Sequence, residues 1–245
     1  MKNYLKKNDL IILEHNADDQ IETMLFRLFR GSGIKGMSGM PISRLLGNGE
    51  LFRPLLPFFR RDLESYALAN QINWIEDDSN LDVAFDRNFI RHKLIPTINE
   101  RWPNSSFQLN RSANIFAESD FLINILAQKD FAIVTEVSER VGWSISIDKL
   151  NGFETIRQKN ILRYWFNLHN LTLPSYAVLD NALDQMIGSK ADAEPIVSWG
   201  DLQLRRFNKK LYLLPFNFDD PNYSFKKKKG LELLEKYSIK WDASS

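Results

Sequence analysis

LIILEHNADDQIETMLFRLFRGSG, running from Leu10 to Gly33, is the stretch on which the fold turns. Residues 10–14 (LIILE) form a short apolar run that reads as a buried strand. From Asp18 the pattern changes. Ile21, Met24, Leu25, Leu28 and Phe29 recur at i, i+3, i+4, i+7 and i+8, one face of an amphipathic helix. Asn16 is placed to cap that helix, and Gly31 and Gly33 to end it. Strand, loop and helix in this order open an α/β sheet.

Three acids crowd the helix start. On a helix beginning near Asp18, Glu22 lies one turn after Asp18 and Asp19. The helix dipole favours negative charge there, which accounts for one or two of the three. It does not account for all three following a strand end and a histidine, His15. Ligands bind at the carboxyl ends of strands in open α/β sheets. Three acids at such a place can hold a cation, either a metal or the ammonium group of an amino acid.

Downstream, Gly31-Ser32-Gly33-Ile34-Lys35-Gly36 matches G-x-G-x-x-G, but the dinucleotide fingerprint needs a strand before it and a helix after it. Here a helix precedes it, so the expectation is a glycine-rich loop, Gly31 to Pro41, in which Arg30 and Lys35 could meet phosphate. LFRPLLPF contains a short strand, RRDLESYALANQ a helix, and INWIEDDSN a strand entering a polar turn. FDRNFIRHKLIPTI reads as helical up to Pro96. Arg87 and Arg91, at i and i+4, can point the same way and suit a carboxylate or phosphate. Pairing with Asp77, Asp78, Asp82 or Asp86 is the competing expectation. Arg101 to Ser106 (RWPNSS) is the candidate linker.

Beyond it lie helical patterns over 107–130, 153–170 and 176–188, with the short alternating piece WSISID between the first two. Period-two alternation around Asn208-Lys209 predicts a hairpin. Trp143, Tyr164, Trp165, Phe166 and Trp199 read as core. Arg205, Arg206, Lys209 and Lys210 cluster at the hairpin tip, where RNA phosphates could be met. KKKK (226–229) reads as a solvated run.

The 245 residues suffice for one large domain or two modest ones. A 44% hydrophobic and 26% charged composition is that of a globular protein. No apolar run approaches the roughly 18 residues of a membrane helix, and the N-terminus lacks the apolar segment of a signal peptide. There are no cysteines, which excludes disulfides, thiolate metal sites and cysteine nucleophiles in this chain and fits a reducing cytosol. A net charge of +1 gives no global attraction to nucleic acid, so such a role must rest on local patches.

The ordered set HNADDQIET, RGSGIKGMSGM, FRPLL and WIEDDSN…DRNFIR..LIP resembles the tRNA(Ile)-lysidine synthetase family of the PP-loop ATP pyrophosphatase group. The resemblance covers 10–102, and more loosely 107–215, which is similar to that family's helical substrate-binding domain. It implies an α/β fold: an incomplete Rossmann-like domain of PP-loop (adenine nucleotide alpha hydrolase-like) type, followed by a mainly helical domain with a terminal β-hairpin. The implied divisions are 1–102, 103–218 for the tRNA-binding domain, and a tail at 219–245.

The implied activity is ATP-dependent ligation of L-lysine to the wobble cytidine of the CAU anticodon of tRNA(Ile), assisted by Mg2+, in the cytoplasm. A homodimer is one candidate assembly. By resemblance, Asp19 and Glu22 hold lysine and help to deprotonate it, because only a neutral amine is nucleophilic. Asp18 supports magnesium, His15 lies beside the nucleotide, and Arg30 with the Gly31 and Gly33 backbone approaches ATP phosphates. Arg87 or Arg91 meets the lysine carboxylate or the activated intermediate.

One departure stands out. The family's SGGxDS loop belongs upstream of HNADDQIET, and no such sequence occurs in these residues. The expectation is therefore a truncated form with an unpaired strand edge, in which self-sufficient catalysis is in question. Three other readings stay open: a PP-loop thiolase acting on cytidine, which the lack of cysteine argues against; a tRNA-binding module or inactive remnant; and a generic α/β fragment.

Overall fold

The computed structural model describes residues 5–75, 82–139, 142–190 and 193–215. The chain divides into two compact units, Met1–Leu122 and Ile123–Ser245. That division falls inside one helix, downstream of the 102/103 boundary expected from sequence.

The first unit runs β1 (Leu10–Ile12), α1 (Ala17–Phe29), α2 (Ile34–Met37), β2 (Ser43–Leu46), β3 (Gly49–Phe52), α3 (Arg60–Ala69), α4 (Asp86–Phe89), a π-helical turn (Ile90–Leu94) and α5 (Ile95–Arg101). The first part of the long helix α6 (Ser105–Val134) completes it. β1 pairs parallel to β3, and β2 antiparallel to β3, in the order β1-β3-β2. The outer edge of β1 has no strand beside it among the described residues, and Leu10 and Ile12 are 52% and 63% exposed.

The first part of the apolar stripe of α1, Ile21, Met24 and Leu25, is buried as its periodicity demands, whereas Leu28 and Phe29 near the helix end are 46% and 65% exposed. Ile21 and Leu25 pack with Ile90, Phe26, Phe59, Leu94, Ile95 and Leu109, while Met24 meets Met37, Ala113 and Phe116. Each such apolar side chain, fully buried, contributes roughly 1.5–3 kcal/mol.

Three local expectations are corrected. The glycine-rich loop is not structureless, because it contains the helical turn α2. Residues 72–75 form no strand, and Ile75 is 97% exposed; an apolar run becomes a strand only through a ladder, and no strand among the described residues pairs with it. The remainder of that predicted strand and turn, with Asp77, Asp78, Ser79 and Asn80, lies outside the described residues, as does KKKK. The helix also does not stop at Pro96. A π turn over Ile90–Leu94 leads into α5, where Pro96 occupies the first turn and its missing N–H leaves no orphan.

The second unit is built on a five-stranded antiparallel sheet, ordered β4-β5-β8-β7-β6. Its elements are β4 (Glu136–Glu139), β5 (Gly142–Ser146), α7 (Ile147–Asn151), α8 (Thr155–Leu168), α9 (Tyr176–Gly188), β6 (Ile196–Trp199), β7 (Leu202–Phe207) and β8 (Lys210–Pro215). The expected hairpin is present as β7 and β8. Asn208 and Lys209 have φ of 44° and 60°, the left-handed pair of a two-residue turn that matches strand twist. It forms the middle of the larger sheet. Trp165 and Phe166 are fully buried among Ile161, Leu162, Leu179, Leu204 and Leu211, and Trp143, Tyr164 and Trp199 pack against that core.

Candidate functional site

The candidate site begins where β1 ends. Leu13 N donates to Phe52 O at 2.9 Å, holding the β1 exit beside the β3 exit. These two parallel strands therefore release His15 and Arg53 at the same, carboxyl, edge of the sheet.

Asn16 then caps α1. Its Oδ1 accepts from the N–H groups of Asp18 (3.0 Å) and Asp19 (3.1 Å), and Asp19 Oδ2 accepts from Asn16 N at 2.9 Å. This reciprocal box satisfies donors that a helix start leaves open. It also fixes Asp19, whose Oδ1 is turned outwards from the cap. Asp18 serves a different contact: its Oδ2 accepts from Arg60 N at 2.7 Å, at the first residue of α3.

Glu22, one turn further on, is 1% exposed. A carboxylate buried so deeply needs a partner, and Arg91 supplies it. Arg91 Nε donates to Glu22 Oε1 at 2.5 Å and Nη2 to Oε2 at 3.0 Å, with a third bond from Nη2 to Asp19 Oδ1 at 3.1 Å. Arg87 reaches the same place, donating from Nη2 to Thr23 Oγ1 at 3.3 Å with Nε 3.9 Å from Glu22 Oε2. The i, i+4 spacing thus brings both arginines to the acid cluster. Of the aspartates near them in sequence, the described ones, Asp82 and Asp86, are not their partners in these contacts; Asp77 and Asp78 lie outside the described residues.

Burial pushes the Glu22 carboxyl above the ordinary carboxylate range, against the downward pull of the Arg91 bond and charge. The same bond holds the Arg91 guanidinium up.

Arg53, in FRPLL, was not singled out by sequence reasoning. It is 6% exposed and lies just past β3. Its Nε donates to His15 Nδ1 at 3.3 Å and its Nη1 to Pro41 O at 2.8 Å. Burial lowers its pKa, with Arg44 and Arg27 adding to the effect. A signal was present in the sequence: a lone arginine between a strand's apolar residues and a proline is poorly explained by solvation.

The glycine-rich loop is tied to α1 by Gln20 and Arg27. Gln20 Nε2 donates to Met40 O at 3.0 Å, its Oε1 accepts from Met40 N at 2.6 Å, and Arg27 Nη1 donates to Gly39 O at 2.6 Å. Gly39 has φ +66°, and a Cβ there would stand 2.5 Å from Gln20 Oε1.

Arg30, Gly31 and Gly33 are not brought to the acid cluster. They follow the far end of α1, about 20 Å from its start at 1.5 Å per residue. Arg30 lies over the Phe26 ring at 5.0 Å. Gly31, with φ +74°, ends the helix through bonds to Leu28 O and, from Ser32 N, to Arg27 O.

Among the described residues no group of three or more His, Cys, Asp or Glu side chains could hold a metal. An all-protein magnesium cage is therefore not what this part of the chain offers. A single carboxylate such as Asp18 would suit magnesium only where phosphates and water supplied the remaining ligands. A cleft of about 230 Å³ opens beside it, lined by Phe59, Arg61, Asn99, Pro103 and Phe107 among others.

Two family profiles and a set of known proteins match this chain. The family profile described as a PP-loop domain matches residues 1–98, and that of the TilS substrate binding domain matches residues 145–212. A tRNA(Ile)-lysidine synthase of Coxiella burnetii is 40% identical over 209 residues, covering 85% of this chain and 45% of the relative. Relatives of the same name from Legionella pneumophila (strain Lens) and Pectobacterium atrosepticum are 37% and 39% identical, with 86% of this chain and 48% and 47% of theirs covered. The chain belongs to the tRNA(Ile)-lysidine synthase family. It spans about half the length of the curated relatives it matches.

The basic residues of the second unit make distinct contacts. Arg206 Nη1 donates to Met186 O (3.0 Å) and Ser189 O (3.1 Å), tying β7 to the end of α9. Arg205 bonds Gln203 Oε1 at 3.1 Å, and Lys209 lies 3.5 Å from Asp148. No helix among the described residues is long and apolar enough to cross a membrane.

Proposed function

We propose that this chain carries the lysine-binding and nucleotide-facing part of a tRNA(Ile)-lysidine synthase, an ATP-dependent carbon–nitrogen ligase of the cytoplasm. In the reaction, the C2 oxygen of the wobble cytidine attacks the α-phosphorus of ATP and pyrophosphate leaves. The neutral lysine amine then attacks C2, and AMP departs with that oxygen. One proton must be taken from the lysine ammonium, and the carboxylates of the cluster are the bases assigned to take it.

The observation that carries this reading is the joining of Asp19, Glu22, Arg87 and Arg91 at the start of α1, beyond a strand end. Lysine presents two ammonium groups and one carboxylate, and this cluster offers both signs of charge. Asp19, partly exposed, receives an ammonium and the proton. Glu22 holds Arg91 in place and shares the negative field. Arg87 and Arg91 meet the lysine carboxylate or the adenylated intermediate. Asp18 supports magnesium on the phosphates, and His15 lies beside the nucleotide. Arg30, Gly31 and Gly33, about 20 Å away at the opposite end of α1, take no part in this cluster. The basic residues of the second unit receive the CAU-anticodon tRNA(Ile).

Transfer of labelled lysine to that tRNA, with ATP and Mg2+, is the test. Label should enter the tRNA, and Glu22→Gln should raise the lysine KM or abolish transfer. Unchanged lysine kinetics in Glu22→Gln would overturn its assignment. Absence of any transfer would leave tRNA binding as the function of the chain.

A further inference from the structure

We infer that Arg53 is a positioning residue that locks His15 as a hydrogen-bond donor: it occupies Nδ1, so the ring carries its proton on Nε2 and offers that N–H to the bound nucleotide. The inference deepens the proposed function and rests on its placing of His15 beside the nucleotide.

A guanidinium has five N–H donors and no acceptor, and it does not deprotonate in proteins. Arg53 Nε lies 3.3 Å from His15 Nδ1, so the direction of that bond is fixed: Nε–H donates and the Nδ1 lone pair accepts. A ring accepting at Nδ1 is neutral and has its single proton on Nε2. Asn, Gln or Ser in the place of Arg53 could reverse roles and leave the tautomer undecided. Arginine cannot.

The setting supports more than a structural duty for Arg53. Its side chain is buried, yet among the described residues it makes no ion pair, and its side-chain hydrogen bonds go to two neutral acceptors, His15 Nδ1 and Pro41 O. A buried cation without a carboxylate is costly. The Pro41 bond alone would tie the glycine-rich loop to β3. The second bond, to His15, crosses from the exit of β3 to the exit of β1, at the sheet edge where ligands bind.

The chemical consequence is specific. With Nδ1 occupied and Nε2 protonated, His15 has no free lone pair and cannot take the lysine proton. It can only donate, which suits a phosphate oxygen or another acceptor of the nucleotide. Proton removal therefore falls to the carboxylates of the acid cluster. The tautomer is set by another residue's hydrogen bond, as for many functional histidines.

The test is nitrogen NMR of the imidazoles in the full 245-residue chain, which has three histidines. Spectra are taken at pH 8, and the His15 signals are assigned by their loss in His15→Gln. The expected result is a single His15 tautomer, with a pyrrole-like Nε2 and a hydrogen-bonded, pyridine-like Nδ1. Arg53→Met should shift Nδ1 towards its free position, and Arg53→Lys, which keeps a donor, should shift it less. A proton found on Nδ1 in the unsubstituted chain overturns the inference. So do identical His15 signals in the unsubstituted chain and in Arg53→Met. The unsubstituted spectrum decides the tautomer even where a variant fails to fold. No lysine or tRNA is present, so failure of the ligase reading is separately detected.

Discussion

Arg91 and Glu22 stand 69 residues apart in sequence and meet through two parallel hydrogen bonds, of 2.5 and 3.0 Å. The pair fastens the π-helical turn to the first turns of α1. It also converts a buried acid into one face of a site whose other members, Asp19 and Arg87, are more open.

Removing the cation should expose how much depends on it. Arg91→Met leaves Glu22 buried with no hydrogen-bonded cation and only Arg87 at 3.9 Å, and breaking such a pair costs up to about 3–5 kcal/mol. Urea unfolding of the variant against the unsubstituted chain measures it. A change within about 0.5 kcal/mol, the range of an ordinary surface substitution, would mean that the pair does not anchor the turn.

The pH dependence follows from the raised Glu22 pKa. Unfolded, Glu22 titrates at about 4.3; folded, burial moves it higher. Between those values the folded chain holds the extra proton, so stability falls as pH rises through that window. Below the unfolded value the contribution is fully present. Stability of the unsubstituted chain relative to Glu22→Gln should therefore decline as pH rises above about 4.3. A relative gain over the same interval would mean that Arg91 outweighs burial and that the folded pKa is depressed.

Two neighbouring glycines should behave differently. Gly39 adopts φ +66° and has Gln20 against its absent Cβ, whereas Gly33 has φ −77° and open space. Gly39→Ala should destabilise by about 1–2 kcal/mol from the left-handed backbone alone, with more from displacing Gln20. Gly33→Ala should stay within about 0.5 kcal/mol. Thermal unfolding of both variants checks this, and equal effects would contradict the clamp.

Much of this was legible because the signals were local. The stripe Ile21–Phe29 is a periodicity, Asn16 a cap and Asn208-Lys209 a turn, each specified within a few residues. The Arg87–Arg91 spacing likewise announced two side chains on one side. What was not legible was long-range. Nothing near Arg91 in sequence names Glu22 as its partner, since Asp82 and Asp86 are closer along the chain. Arg53 was missed because its meaning lies in the parallel pairing of β1 with β3, which only the fold reveals. The INWI run misled because hydrophobicity supplies apolar surface and not a ladder partner. Pro96 misled because the proline falls where a helical segment begins anew after a π turn.

The central claim is that the charge cluster at the start of α1 is a lysine site. The most direct measurement is calorimetric titration of L-lysine into the 245-residue chain and into Asp19→Asn. The account predicts saturable binding of lysine to the unsubstituted chain and at least a tenfold weakening in Asp19→Asn, about 1.4 kcal/mol. No lysine binding to the chain, or equal affinity in the two proteins, would contradict it.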